Sequence, residues 1–365
     1  MDSAESYSVG NSSKIEIECL LQSVKPSLIP GLPDDVALSC LARVPRKYHP
    51  VLNCVSKRWR ELVVSEEWFS YRQIHHLEET WIYSLCRDRS EQLCIYALDP
   101  EQFRRGWKQI HALPGSFLRR KGVGFEVLGK KIYLFGGCGW IEDATDEAYS
   151  YDASMNTWTR VAPLSTARCF FAYESLDGEI YAIGGLGSKS SEQHSWDIYD
   201  SQTNSWRSHV DPNVISDIED SVVMDGKIYI RARISAVPSQ VNAVVYDPST
   251  QTWQPAGAEM ACWCGPAAVI DDILYVLDQN SGVRLMMWQK DTGAWMGLRR
   301  FSEQLVRPPC RLVAIGKKIF VVGKGLSTVM FDVESASCVD GVLVGSSVLK
   351  FNCDDGVISC KSMAI

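Results

Sequence analysis

Side chains that could bind a metal or transfer a proton are few in this sequence and are scattered along it. Its six histidines form no His-x-His or Glu-x-x-x-His pair beyond residue 77, and Cys262 and Cys264 have no second pair at zinc-site spacing. There is no Gly-x-Ser-x-Gly elbow, no phosphate-binding loop and no Gly-rich dinucleotide fingerprint. The histidines are His49, His75, His76, His111, His194 and His209. We therefore expect no catalytic residue, no metal and no cofactor.

Aromatic and arginine side chains in predicted loops are candidates of another kind, because such residues commonly anchor protein interfaces. Three acidic residues follow Trp140 within six positions. Arg231 and Arg233 alternate along a predicted strand, so both can face a central channel and favour an acidic ligand. The candidates for substrate contact are Trp140, His194, Trp196, Arg231 and Arg233. The alternative for the two tryptophans is that they only cover their own loops.

The elements that carry these loops repeat along the chain. From about residue 77, short apolar runs are separated by Gly, Asp, Asn, Ser and Pro. An aromatic residue recurs in the same type of run at intervals of 48, 48, 46 and 45 residues. The recurring positions are Tyr133, Tyr181, Tyr229, Tyr275 and Phe320. Repeats of this length are typical of propeller blades.

A second set of aromatic residues supports the same repeats. In four of them an aromatic stands seven residues before a tryptophan, with turn-forming residues between the two. These pairs are Tyr151 and Trp158, Tyr199 and Trp206, Tyr246 and Trp253, and Trp288 and Trp295. Counting fainter first and last units, we predict six blades. The first lacks a preceding strand, so we expect the C-terminal tail to supply it and close the ring.

The segment before the repeats has a helical pattern. Leu52, Val55, Trp59 and Leu62 follow one another at intervals of three and four residues, which predicts one apolar helical face. We predict a disordered lead over 1–28, a small all-α domain over 29–76 and an all-β propeller over 77–365.

The two segments resemble known families. The run Ile29-Pro30-Gly31-Leu32-Pro33-Asp34-Asp35-Val36, continuing to Val55-Ser56-Lys57-Arg58-Trp59, closely resembles the F-box. The repeats resemble kelch motifs, which carry a double glycine, then Tyr-Asp and Trp. Here these are Gly136-Gly137, Tyr151-Asp152 and Trp158, and then Gly184-Gly185, Tyr199-Asp200 and Trp206. The double glycine is missing from the last three repeats. Together the motifs look like those of plant-type F-box/kelch-repeat proteins.

This resemblance implies a function. In that family the F-box docks on a Skp-type adaptor, which joins it to a cullin and a RING subunit, while the propeller captures the protein to be ubiquitinated. The chain would then be the non-catalytic, substrate-recognition subunit of an SCF (Skp-cullin-F-box) ubiquitin ligase. The F-box positions expected to serve adaptor binding are Leu32, Pro33, Val36, Leu41, Leu52 and Trp59. Some of their apolar surface could instead pack internally.

Composition limits the other partners. The net charge is −7 and no run of Lys and Arg makes a basic stripe, so we expect no nucleic acid. No positively charged leader and no long apolar stretch is present, so we expect no membrane partner and a place in the nucleus or cytoplasm. The 13 cysteines are odd in number and scattered, which favours free thiols. The alternatives are a metal-dependent kelch-propeller enzyme and a scaffold outside any ligase.

Overall fold

The computed structural model divides the chain into two compact units, with the division between Glu79 and Thr80. It describes residues 27–110, 113–187, 194–233, 243–257, 260, 263–280, 282–334, 338–339, 342–343, 347–349, 351 and 353–365. Residues 1–26 of the lead predicted from the sequence lie outside this description. Within the described part of the chain, no helix combines the length and the apolar character that crossing a membrane requires.

The first unit consists of short helices whose starts are encoded locally. They are α1 (Asp34–Ala42), α2 (His49–Val55), α3 (Lys57–Val63) and α4 (Glu66–Ile74). Asp34 and Asp35 occupy the first turn of α1, where carboxylates meet unpaired backbone N–H groups. Ser56 and Ser65 cap α3 and α4, because each hydroxyl accepts a hydrogen bond from the N–H three residues later, at 3.1 and 3.2 Å.

A small apolar core holds these helices together. It contains the buried residues Leu38, Leu41, Ala42, Leu52, Leu62, Val63 and Trp68. Beside it, the buried guanidinium of Arg72 donates hydrogen bonds to the carbonyl oxygens of Ala42 at 2.6 Å and Leu77 at 2.5 Å. Arg72 also lies 3.3 Å from the carboxylate of Glu79. The chain leaving α4 is therefore tied to the end of α1.

The second unit is built almost entirely of strands. In chain order they are β1 (Thr80–Arg87), β2 (Leu93–Leu98), β3 (Lys108–Gln109), β4 (Gly124–Leu128), β5 (Lys131–Phe135), β6 (Ala148–Asp152), β7 (Thr157–Arg160), β8 (Arg168–Cys169), β9 (Ala172–Leu176), β10 (Glu179–Ile183), β11 (Leu186–Gly187), β12 (Ser195–Asp200), β13 (Ser205–Val210), β14 (Ile218–Met224), β15 (Lys227–Ala232), β16 (Ala243–Asp247), β17 (Thr252–Pro255), β18 (Ala267–Ile270), β19 (Ile273–Asp278), β20 (Val283–Gln289), β21 (Ala294–Phe301), β22 (Arg311–Ile315), β23 (Lys318–Val322), β24 (Thr328–Asp332), β25 (Cys338–Val339), β26 (Val342–Leu343), β27 (Ser347–Leu349) and β28 (Gly356–Ala364).

These strands form a six-bladed propeller, as the repeats predict. Each blade is a four-stranded antiparallel sheet, and the orders from the inside outward are β28-β1-β2-β3, β4-β5-β6-β7, β9-β10-β12-β13, β14-β15-β16-β17, β18-β19-β20-β21 and β22-β23-β24-β27. The first strands of the six sheets contact one another in a closed ring. Stacking blades in this way covers the apolar faces that a single blade would expose.

The ring closes through the C-terminus, as the sequence predicts. Strand β28 pairs antiparallel with β1, with Thr80 opposite Ala364 and Ser84 opposite Cys360. Only the second half of the apolar tail makes this contact. The first half, β27, pairs with β24 as the outer strand of the sixth blade. The tail therefore completes two blades, and closure removes the exposed edge of β1.

The double glycines stand where neighbouring blades approach one another. Gly136 and Gly184 have φ angles of 67° and 62°, which disfavour residues with a Cβ atom. A Cβ atom at Gly136 would lie 2.6 Å from the Arg168 carbonyl oxygen, and one at Gly184 would lie 2.2 Å from that of Ile215. Any larger residue would clash with backbone of the connection to the next blade. This explains the glycine at these two positions.

The aromatic residues seven positions apart are opposite one another on adjacent strands. Their ring centroids are 5.2 Å apart for Tyr151 and Trp158, 5.0 Å for Tyr199 and Trp206, 4.8 Å for Tyr246 and Trp253, and 5.5 Å for Trp288 and Trp295. A tight hairpin between the third and fourth strands of a blade sets the constant spacing. Such aromatic cross-strand pairs stabilise each sheet.

Candidate functional site

The helical unit exposes apolar side chains on a surface formed near the start of α1 and on α2. Leu32, Pro33 and Val36 are exposed at the start of α1, and Val51 and Val55 are exposed on α2. An apolar surface of this kind is unfavourable in water unless a partner covers it. We refer to these five residues as the apolar helical face.

Hydrogen bonds fix the start of α1 against α3. The Asp34 carboxylate accepts a hydrogen bond from the Leu28 N–H at 2.8 Å and pairs with the guanidinium of Arg58. The Trp59 indole N–H donates to the Leu28 carbonyl oxygen at 2.7 Å. The hydrogen bond from Arg58 lowers the pKa of Asp34, so the carboxylate stays charged. These contacts hold the start of α1 beside the α2–α3 junction.

The structure separates the predicted adaptor-binding residues into two groups. Leu32, Pro33 and Val36 are exposed, whereas Leu41 and Leu52 are buried in the helical core and Trp59 is half-buried against it. The two buried leucines can act on a partner only by supporting the helices. Sequence reasoning missed Val51, which lies beside buried Leu52 on α2.

The continuous helical face predicted through Leu52, Val55, Trp59 and Leu62 is wrong. Ser56 has extended backbone angles, φ −156° and ψ 162°, and separates α2 from α3. The break turns Val55 outward while Leu52 and Leu62 stay in the core. Ser56, three residues before Trp59, could have indicated the break, since Ser is favoured as the residue that caps the start of a helix.

The propeller presents its longer connections on one face. In an antiparallel blade, the first and third turns lie at one end of the strands, and the second connection and the link to the next blade lie at the other. The first end carries tight hairpins such as that at Gly129, between β4 and β5. The second carries 136–147, between β5 and β6, and 161–171, between β7 and β9. We call this second end the loop face.

The predicted substrate-contact residues occupy different environments. Trp140 is exposed on the loop face, and exposed His194 places its Nδ1 2.8 Å from the Val214 carbonyl oxygen. Trp196 is not in a loop: it is buried in β12, with its ring 4.6 Å from that of His209. Trp196 therefore packs the third blade, whereas Trp140 does not cover its loop.

The two arginines line the propeller's central cavity, as their alternation predicts, but neither has an uncompensated charge. Arg231 is buried and lies 2.7 Å from the carboxylate of Glu219. Arg233 is exposed and lies 3.4 Å from that of Asp217. Because each guanidinium has its own carboxylate, the arginines give less support to an acidic ligand than the sequence suggested.

The central cavity has a volume of about 760 Å³ and a charged lining. Lys361 on β28 lies 2.6 Å from the carboxylate of Glu126 on β4 and 3.4 Å from that of Glu174 on β9. The Ser221 hydroxyl donates to Glu174 at 2.7 Å. One ammonium group thus joins the closing strand to the inner strands of two other blades.

Burial and neighbouring charges together shift the pKa values of Glu126 and Lys361, and burial also shifts that of Asp220 in the same cavity. Burial raises the pKa of Glu126 to about 7, because Lys361 offsets only part of the cost and Glu174 adds repulsion. Burial lowers the pKa of Lys361, but the two carboxylates outweigh it and raise that pKa above its usual value. Burial also raises the pKa of Asp220 to about 6. The ammonium is therefore retained while two carboxylates titrate near neutrality.

We expect the thermal midpoint of the propeller to fall as the pH rises from about 5 to about 7.5. The folded protein retains protons on Glu126 and Asp220 that the unfolded chain has already released, since their ordinary pKa values are 4.5 and 3.8. The contribution of these two groups to folding stability is therefore complete at low pH. It is lost as the pH rises through their pKa values in the folded protein. Differential scanning calorimetry measures the slope.

Glu126→Gln is expected to make that slope shallower, because one of the two titrating groups is removed. Exchange of the exposed Glu303 for Gln is the matched control and should leave the slope unchanged. A slope equally steep in Glu126→Gln would contradict the assignment.

Within the described residues, no group of three or more His, Cys, Asp and Glu side chains is arranged to hold a metal ion. Cys262 and His111 lie outside the described residues. Neighbouring Cys264 is half-buried.

Comparisons with known proteins agree with the two units. Residues 29–71 match the family model described as F-box domain, and residues 82–337 match that described as FKB95, Kelch-repeats domain. The chain is 50% identical to the Arabidopsis thaliana F-box/kelch-repeat protein SKIP4 over 344 residues, covering 93% of this chain and 95% of that protein. It is 25% identical over 350 residues to F-box/kelch-repeat protein SKIP30 of the same organism, covering 90% and 92%.

A solved structure shares the propeller architecture. The structure titled "Structure of YjhT" aligns with a TM-score of 0.50 at 14% identity and covers 74% of this chain and 97% of that one. At this identity the likeness concerns the fold alone. The kelch-repeat model spans most of the propeller and the 50% identity to SKIP4 extends through both units, so this chain belongs to the F-box/kelch-repeat family.

Proposed function

We propose that this protein is the substrate-recognition subunit of an SCF ubiquitin ligase. Its helical unit would bind a Skp-type adaptor, and its propeller would capture the protein to be ubiquitinated. The adaptor would join it to a cullin and a RING subunit, so the chain itself would perform no catalysis. In this proposal it works inside the cell, in the nucleus or the cytoplasm.

The observation that carries the proposal is the apolar helical face on an F-box domain. The F-box match covers 29–71 and includes exposed Leu32 and Pro33 of the Leu-Pro motif and exposed Val36 in the first turn of α1. A partner helix could cover these side chains together with Val51 and Val55. Helix packing on an exposed apolar groove is a common mode of recognition.

Two alternatives make different predictions. A metal-dependent kelch enzyme would retain stoichiometric metal after purification, which elemental analysis detects. A scaffold that belongs to no ligase would not bind the adaptor. The F-box match favours the ligase over both.

Exchange of both Leu32 and Pro33 for Ala is expected to abolish co-purification with a co-expressed Skp-type adaptor. Truncating central apolar contacts commonly weakens an interface by about 2 kcal/mol or more, or roughly 30-fold. The control is Ile74→Ala, which removes an exposed apolar side chain at the end of α4. It should retain the adaptor.

Circular dichroism on both variants tests whether they remain folded, since neither exchange removes a buried residue. Loss of the adaptor from the double variant alone supports the ligase role. Failure of the unaltered chain to bind the adaptor would overturn the proposal, and equal binding by the double variant would place the contact elsewhere on the helical unit.

A further inference from the structure

Four exposed apolar side chains on the loop face belong to adjoining segments of the second and third blades, and we call them the apolar loop patch. Trp140 and Ile141 are 83% and 95% exposed in the connection between β5 and β6. Phe170 and Leu186, 42% and 51% exposed, belong to the second and third blades' neighbouring connections. A tryptophan and an isoleucine this exposed are unfavourable in water.

Backbone hydrogen bonds link the segments that carry these four side chains. Lys121 pairs with Cys138 through two backbone hydrogen bonds of 2.8 and 2.9 Å, and its ammonium lies 4.2 Å from the centre of the Trp140 ring. On the other side of this segment, the Phe170 N–H donates to the Gly122 carbonyl oxygen at 3.0 Å. The residue before Phe170 pairs with Leu186 in the small β8–β11 sheet.

Hydrogen bonds also hold the base of the loop that carries Trp140. The Gly137 N–H donates to the Arg168 carbonyl oxygen at 2.8 Å, and the Thr145 N–H donates to the Gly137 carbonyl oxygen at 2.9 Å. The buried Arg168 side chain in turn donates to the Gly184 carbonyl oxygen at 2.8 Å. The loop that carries Trp140 is therefore fixed at its base, which reduces the entropy that binding would cost.

The charged side chains of the loop that carries Trp140 are all acidic, and the one cation recorded at its ring, Lys121, comes from the preceding segment. Residues 136–147 include four carboxylates and neither Lys nor Arg. Glu147 lies 3.8 Å from Arg120, whereas Glu142, Asp143 and Asp146 are exposed and form no ion pair with any described residue. Acidic side chains bordering an apolar patch attract a partner with basic side chains in the corresponding positions.

We propose that the apolar loop patch binds a substrate segment in which an aromatic or aliphatic side chain is flanked by Lys or Arg. The apolar side chain packs on Trp140 and Ile141. The flanking cations approach Glu142, Asp143 and Asp146. This inference rests on the proposed function, because it specifies the class of protein that the propeller delivers to the ligase.

A displayed library of random 12-residue peptides, selected on the full chain, tests the proposal. We expect enriched peptides to carry an aromatic or large aliphatic residue with Lys or Arg close by. Fluorescence anisotropy of these peptides should show binding at least about tenfold weaker to the double variant Trp140→Ala, Ile141→Ala, because truncated apolar anchors commonly lose that much.

The triple variant Glu142→Gln, Asp143→Asn, Asp146→Asn should weaken the same peptides and reduce the dependence of binding on salt, since exposed charges are screened. The matched control is Val210→Ala, which removes an exposed apolar side chain at the end of β13. It should leave binding unchanged.

Enrichment of acidic peptides, no enrichment, or equal binding to the Trp140 and Ile141 double variant would each overturn the proposal. Adaptor binding is measured on the same preparations, so that failure of the patch proposal can be distinguished from failure of the proposed ligase function. Retained adaptor with no peptide selectivity refutes only the patch. Lost adaptor with selective peptide binding refutes only the ligase role.

Discussion

A chain that ends at Ser346 is expected to lose the cooperative unfolding transition of the propeller. The shortened chain lacks β27 and β28, so β24 and β1 are left with unpaired edges. It also lacks Val357, Met363 and Ile365, whose buried side chains contribute about 1.5–3 kcal/mol each. Their sum is comparable with the 5–15 kcal/mol that stabilises a whole domain.

Loss of Lys361 adds to this effect, because Glu126 and Glu174 would face each other without the shared ammonium. Near-ultraviolet circular dichroism and calorimetry measure the loss. The matched control is removal of residues 1–19, which is equal in length and falls in the lead predicted to be disordered. A chain ending at Ser346 that kept the original melting temperature would refute closure by the C-terminal strand.

Arg168→Met is expected to destabilise the propeller by about 3–5 kcal/mol, the usual cost of breaking a buried ion pair. The side chains of Arg168 and Asp197 are 1% and 0% exposed, and the guanidinium lies 3.1 Å from the carboxylate. The substitution leaves the buried Asp197 carboxylate without its ion-pair partner. It also removes the hydrogen bond that the Gly184 carbonyl oxygen accepts from Arg168. Thermal unfolding should begin at a distinctly lower temperature.

The double variant Arg168→Met, Asp197→Asn provides the control. In the native chain the Thr166 N–H donates a hydrogen bond to the Asp197 carboxylate at 3.1 Å. Asparagine keeps a side-chain oxygen that can accept this hydrogen bond, but it carries no charge. The double variant should therefore be more stable than Arg168→Met alone. If it were less stable, the uncompensated charge would not be the source of the destabilisation.

The propeller was predictable because its repeats recur in the sequence. A hairpin places Tyr151 opposite Trp158, and the same local geometry returns in later blades. Ring closure was predictable too, since the first repeat lacked a strand and the tail was apolar. The division of that tail between β27 and β28 was not, because both halves have similar composition and only the pairing with β24 and β1 distinguishes them.

The candidate surfaces were only partly predictable. Val36 and Leu41 are both apolar residues of α1, yet Val36 is exposed and Leu41 is buried. Trp140 and Trp196 were equivalent candidates in the sequence. The structure leaves the first on the loop face and buries the second in β12. Residue type states what a side chain can contact, whereas exposure depends on what packs against it.

Local periodicity was therefore enough to predict the two domains and the number of blades, and the residue types available for recognition could be read directly. Which side chains meet depends on the folded ring. Lys361, Glu126 and Glu174 are far apart along the chain and form one cluster only because the ring closes. The same closure sets the pKa values of Lys361 and Glu126, since burial and charge are properties of the assembled cavity and not of any segment.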